Sequence, residues 1–277
     1  MKKNRPLFFK VHLMLLLNFF VMQGFVFTQD SSSEYRLNKK YLEGFGNDFV
    51  EVVSSPKSWS KKDVLRLWGV LGAGILVYTV DQEIHQWSLD QRNSSSSNAS
   101  RLIENIGHGT FLSALIATMY VTGEISDDKN LRKTALLSLE GWLTSGLIVQ
   151  GMKFITGRAR PHTEESFSSF HPFSSEHRNK SFPSGHAASA FAVAVVIANH
   201  SEKFSIDFLS YSLATLVAMS RVHNSEHWMS DVFIGSAVGY FVGNKILALN
   251  KPGDSNKVRL GFQFSPKIQA LKICVSF

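Results

Sequence analysis

The chain has 277 residues, 44% hydrophobic, 12% aromatic and 18% charged, and its 29 Lys and Arg against 22 Asp and Glu give a formal net charge of +7. Four of those cations, Lys2, Lys3, Arg5 and Lys10, crowd the N-terminus; without them the net charge of +7 falls to +3, which gives no support to nucleic-acid binding. Cys274 is the single cysteine and cannot close an internal disulfide.

In chain order, the basic start leads into the almost wholly apolar run Val11 to Phe27, and polar sequence follows from Gln29. That is the pattern of a secretory leader, so residues 1–28 are expected to be a signal peptide. Cleavage would fall between Gly24 and Gln29, although no A-x-A site is present and an uncleaved anchor is the alternative. Residues 29–62 read as a polar segment. Residues 63–250 are expected to form one all-α domain, a six-helix bundle built from Val64 to Val80, Gly109 to Val121, Thr134 to Ile155, Ala187 to Ala198, Phe204 to Met219 and Val232 to Leu249. Ser94 to Ser97 read as a polar loop. Gly235, Gly239 and Gly243 recur every fourth residue, and Ala187 to Ala198 is rich in alanine, so these helices can approach closely. Residues 251–277 read as a β-hairpin, because Val258, Leu260, Phe262 and Phe264 alternate with polar or small residues before Ser265-Pro266-Lys267, and alternation resumes to Phe277.

Whether the bundle crosses a membrane is set by lengths. A crossing helix needs about 20 apolar residues, whereas the run from Ala187 to Ala198 covers only about 18 Å of a roughly 30 Å hydrocarbon core. Arg66, Glu140 and Asp207 interrupt other segments. A mean hydropathy of -0.01 is low for a polytopic protein and high for a plain soluble one. The expectation is a membrane-embedded or membrane-seated bundle in a bacterial cell envelope, at the inner membrane with its site facing the periplasm; a soluble periplasmic bundle is the alternative.

Three blocks carry chemistry. In the first, Lys153 is followed after six residues by Arg160-Pro161; a seven-residue separation puts both cations on one helical face if the helix persists, which Gly157 and Pro161 make doubtful. In the second, Pro183-Ser184-Gly185-His186 precedes an apolar run and reads as a helix start with Ser184 as N-cap, so the first backbone N–H groups can bind an anionic oxygen and His186 sits at the mouth of that site. In the third, Ser220-Arg221 is followed by His227 and Asp231, spaced i,i+4, so that on one helical face the carboxylate can orient one ring nitrogen and leave the other to attack. Phosphoryl transfer concentrates negative charge on equatorial oxygens, and fixed cations such as Lys153, Arg160 and Arg221 supply both positioning and stabilisation. Any one block alone is most often structural decoration; their ordered co-occurrence carries the reading.

These residues resemble the type 2 phosphatidic acid phosphatase (PAP2) family, the superfamily shared with bacterial acid phosphatases and vanadium haloperoxidases. The resemblance rests on Lys153, Arg160, Pro161, Pro183 to His186, Ser220, Arg221, His227 and Asp231 and covers roughly residues 100–249. It implies that His227 attacks phosphorus to form a phosphohistidine, that His186 protonates the leaving oxygen, and that Asp231 orients His227. It further implies that Lys153, Arg160 and Arg221 hold the phosphate oxygens with Ser184 and the Gly185 amide. No metal or other cofactor is implied. The expected substrate is a phosphomonoester or diphosphate, lipid-linked by preference, with a membrane and no nucleic acid as partner. A vanadium-dependent haloperoxidase would hold vanadate with the same residues. A non-catalytic envelope protein that binds phosphate headgroups would need only the cations, so intact His186, His227 and Asp231 argue against it. His85, His108, His162, His171, His177, His200 and His223 lack such spacing and read mostly as surface or loop residues. Phe167, Phe170, Phe173 and Phe182, in the loop between the first two blocks, form either an apolar lip or part of the core.

Overall fold

The structure is a computed structural model that describes residues 35–201 and 203–251 together with the backbone of residues 259–264 and 271–276. The expected leader, residues 1–28, lies outside the described residues. Nine helices are present among those described: α1 (Lys39–Ser54), α2 (Lys61–Tyr78), α3 (Asp81–Asp90), α4 (Ser94–Ile106), α5 (Gly109–Ile125), α6 (Lys129–Thr156), α7 (Gly185–His200), α8 (Phe204–His223) and α9 (Met229–Leu249).

The all-α class is as expected and each of the six apolar segments is helical, but the count of six is corrected to nine. The three further helices come from polar sequence. α1 lies inside the segment read as merely polar and starts where the Asn38 side chain accepts the Tyr41 N–H at 2.9 Å. Ser94 to Ser97, read as a loop, form the first turn of α4, because Asn93 and Ser96 cap each other reciprocally. α3 buries Asp81, His85 and Ser88, a helical stripe made of polar side chains, which a search for apolar periodicity passes over.

α7 is the central helix, packed against α6, α8 and α9. Every residue from Ala187 to Ala198 except Phe191 is buried there, and these small side chains let neighbours approach. The glycine stripe of α9 faces it: a Cβ on Gly235 would collide with the Ser184 backbone, one on Gly239 with the Ala188 carbonyl, and one on Gly243 would lie 2.9 Å from the Ala192 carbonyl oxygen. On the other side of α7, Phe111, Leu115 and Met119 of α5 join Leu131 of α6, Val193 and Ile197 of α7 and Ile206 of α8 in one apolar cluster. Each such side chain stabilises the fold by about 1.5–3 kcal/mol on burial.

Among the described residues, Met229–Leu249 is long and apolar enough to cross a membrane, and α2 with α3 qualify as a pair bent by 56°. Large apolar side chains face outward on α2 (Leu65, Trp68, Ile75 and Leu76) and on α8 (Phe204 and Phe208). Beyond the bundle, β1 (Arg259–Phe264) pairs antiparallel with β2 (Leu271–Ser276), with Phe262 opposite Ile273. The turn expected to join them lies outside the described residues.

Candidate active site

The first block sits where α6 ends. Gly157 stops the helix in the left-handed region at φ 59°, its N–H donating to the Lys153 carbonyl at 2.9 Å. Any Cβ there would collide with the His171 carbonyl, so glycine is required. The condition for Lys153 and Arg160 to share a helical face, a helix that persists to Arg160, is therefore not met, as Gly157 and Pro161 suggest. Lys153 projects from the last turn, where its Nζ donates to the carbonyls of Lys180 and Ser181. Arg160 comes from the following loop, held by its N–H to the Arg178 carbonyl at 2.9 Å and its Nε to the His177 carbonyl at 3.1 Å. Both cations are 6% exposed.

The second block is a helix start, as its sequence predicts. Ser184 is the N-cap of α7, accepting the Ala187 N–H at a long 3.5 Å, while its own N–H donates to the Asp231 carbonyl at 2.9 Å and ties the starts of α7 and α9 together. Gly185 lies beside Val149 and the Lys153 stem. The buried Nε2 of His186 has no hydrogen-bond partner among the described residues. Its ring tilts against His108 at 5.8 Å.

In the third block, His227 lies in the loop before α9 and not on its face. Asp231 is in the first turn of α9, accepting the Trp228 N–H at 2.9 Å, the Ser181 hydroxyl at 2.5 Å and the Arg158 guanidinium at 2.6 Å. The two side chains still meet, with His227 Nδ1 3.8 Å from Asp231 Oδ2. That is an ion-pair distance and longer than a hydrogen bond. Burial first, then the charges of Lys153, Arg160, Arg221 and His186, hold the His227 ring well below the ordinary histidine range. It is therefore neutral, the form that can attack. Glu226, next to His227 in the chain, pairs with both Arg160 and Arg221, and Lys153 donates to the carbonyl of Ser181, whose hydroxyl meets Asp231, so the three predicted cations gather around this imidazole. Ser220 does not join them, since its hydroxyl donates to the Val217 carbonyl at 2.7 Å within α8.

Several residues at the site had no place in the sequence reading. Glu226 pairs with both Arg160 and Arg221, and Glu104 of α4 pairs with Arg221 as well. Arg158, 1% exposed, joins Asp231 to Asp81 of α3 and lies 4.8 Å from the centre of the Tyr78 ring. The signals were slight: Glu226 directly precedes His227, and Arg158 stands inside the first block. His85 corrects the expectation for the other histidines, being buried with Nε2 2.9 Å from the Ser225 hydroxyl. His177 Nε2 lies 3.3 Å from the Arg160 guanidinium, at the rim of the site. The loop phenylalanines divide: Phe167 packs inward on Tyr78 at 5.2 Å, while Phe170 and Phe173 are 44% and 66% exposed. Among the described residues no group of three or more His, Cys, Asp or Glu is placed to hold a metal ion.

A neutral buried imidazole beside a carboxylate, with a second imidazole and three cations from separate elements, is an arrangement chemically suited to a tetrahedral oxyanion. Residues 134–251 match the model of the PAP2 superfamily. It is 28% identical over 178 residues to the lipid A 1-phosphatase of Porphyromonas gingivalis, covering 63% of this chain but only 36% of that protein. A lipid A 1-phosphatase of Rhizobium etli is 26% identical over 162 residues, covering 54% of this chain and 69% of its own length. A probable lipid phosphate phosphatase of Arabidopsis thaliana is 28% identical over 131 residues, covering 37% and 42%. Among solved structures, LpxE of Aquifex aeolicus superposes with a TM-score of 0.50 at 22% identity over 60% of this chain and 94% of that one. A transmembrane PAP2-type phosphatidylglycerolphosphate phosphatase of Bacillus subtilis gives 0.50 at 18% over 68% and 98%. At those identities the structural likeness establishes the fold.

Proposed function

We propose that the chain is a metal-independent phosphatase of lipid-linked phosphomonoesters or diphosphates, acting through a phosphohistidine on His227. The observation that carries this is the gathering of Lys153, Arg160 and Arg221 around the buried His227, with Asp231 facing its Nδ1. Asp231 faces Nδ1, which leaves Nε2 to attack phosphorus. As the nitrogen–phosphorus bond forms and the bond to the leaving oxygen breaks, the cations take up the charge on the remaining oxygens and His186 gives the leaving oxygen its proton. The arriving phosphate itself raises the proton affinity of His186. Water then attacks the phosphohistidine, His186 accepts its proton, and inorganic phosphate departs.

Two features support a lipid substrate. Exposed apolar side chains line the outer faces of α2 and α8, as in a membrane-associated bundle. The curated relatives act on lipid phosphates by name. The leader pattern supports a periplasmic site.

Phosphate release from a panel of lipid A, phosphatidate, phosphatidylglycerol phosphate and a soluble ester, with and without detergent, tests the reading. Release from a lipid phosphate in the presence of EDTA is expected. Activity lost on chelation and restored by Mg²⁺ would overturn the metal-free mechanism, and halide oxidation with vanadate but no hydrolysis would favour the haloperoxidase chemistry.

A further inference from the structure

We propose that Asp81, on α3 and outside the stretch that matches the PAP2 model, is a positioning residue for the His227 loop. It acts through Arg158 and the start of α9, with His85 and Arg92 holding the other end of the same loop. The inference rests on the phosphatase reading above and adds to it a brace outside the family motifs.

His227 needs such a brace, because its Nδ1 has no hydrogen-bond partner among the described residues and so its ring is placed by the loop that carries it. α3 grips that loop at both ends. After His227, Asp81 Oδ1 accepts the Ser230 N–H at 2.8 Å, and Oδ2 accepts the Ser230 hydroxyl at 2.5 Å and the Arg158 guanidinium at 2.8 Å. The other terminal nitrogen of Arg158 donates to Asp231 Oδ1 at 2.6 Å. One guanidinium thus bridges two buried carboxylates on different helices, and Arg158 also donates to the Phe167 carbonyl at 3.0 Å and 2.7 Å. Before His227, the Ser225 hydroxyl lies 2.9 Å from His85 Nε2 and accepts Arg92 at 2.6 Å. Ser225 sits at φ 54°, a left-handed conformation that a non-glycine residue keeps only when its surroundings impose it. Charged groups buried this deeply hold their geometry because breaking one partnership leaves the others uncompensated.

Inorganic phosphate provides a probe that does not depend on knowing the lipid. A phosphohistidine enzyme exchanges oxygen between phosphate and water: His227 attacks, one oxygen leaves as water with the proton from His186, and a new water returns. Calorimetry with phosphate counts intact sites and gives their affinity; isotope exchange gives the rate per site. For Asp81→Asn the expected result is unchanged stoichiometry and affinity, since the three cations stay, with exchange slower by about 10-fold or more from misalignment of the nucleophile. Reduced stoichiometry with an unchanged rate per site would overturn the proposal and leave Asp81 a structural residue. If Asp81→Asn does not fold, His85→Ala decides, with slower exchange supporting the brace and an unchanged rate overturning it. A wild-type protein that binds phosphate without exchanging it would remove the phosphohistidine reading and this proposal with it, an outcome visible before any variant is made.

Discussion

The cations and the imidazoles of the site stand in opposite conditions. Arg160 and Arg221 are already paired with carboxylates, Glu226 between them and Glu104 beyond, whereas His186 Nε2 has no hydrogen-bond partner among the described residues and His227 turns its Nδ1 toward Asp231 at 3.8 Å. In the proposed reaction, phosphate meets the unpartnered nitrogen of His186 but must compete for guanidiniums. On that reading binding and chemistry are separable: the arginine side governs how much phosphate exchanges with internal counter-ions, and the histidine side governs what happens once it has.

The largest effect falls on the histidine side. His227→Ala should lower kcat by about 10⁴ or more while phosphate affinity measured by calorimetry changes little; a large loss of affinity would merge the two halves of the site. Next, Arg160→Lys and Arg221→Lys keep the charge but lose the planar fork, and each should lower kcat/KM by about 10² with weaker orthovanadate inhibition. Full activity in Arg221→Lys would show that charge alone suffices there. A smaller change is expected for Glu226→Gln, which removes the competing carboxylate and should tighten phosphate binding by up to about 10-fold. Weaker binding in that variant would mean that Glu226 organises the forks and does not compete with phosphate.

The smallest effect is a slope with pH. The folded His227 is held well below the usual histidine range, while in the unfolded chain it protonates near about 6.5. Its contribution to stability is therefore present above that value and lost as pH falls through the folded one. Urea midpoints from neutral pH down to about 4 should decline, and less steeply in His227→Ala. The acid limb of kcat/KM belonging to this group should lie below about 6.5; a limb above it would mean that the ring is charged at rest.

Sequence made one class of feature visible and hid another. The gathering of Lys153, Arg160, Ser184, His186, Arg221, His227 and Asp231 was legible because the proposed chemistry restricts residue type at fixed spacing, and the α9 glycines were legible because close helix approach restricts size. The end of α6 was only half legible: Gly157 cast doubt on a helix reaching Arg160, but its left-handed turn and the loop that delivers Arg160 are tertiary facts. α3 was hidden because its buried stripe is Asp81, His85 and Ser88, and the partners of Asp81 and His85, namely Arg158, Ser230 and Ser225, are far along the chain. Polar burial leaves no apolar periodicity when its partners are distant in sequence.

Ser184 and Gly235 meet without room for a methyl group, and Asp231, one turn earlier on α9, accepts the Ser184 N–H. That contact works as a length gauge. A single inserted residue between His227 and Gly235 would turn the rest of α9 by about 100°, carry the glycine notch away from the nucleating turn of α7, and offer a bulkier neighbour in its place. Length variation is thus tolerable in the long connection between the first and second blocks, where exposed residues such as Phe173 can shift outward. It is forbidden across the few residues of α9 that join His227 to the notch.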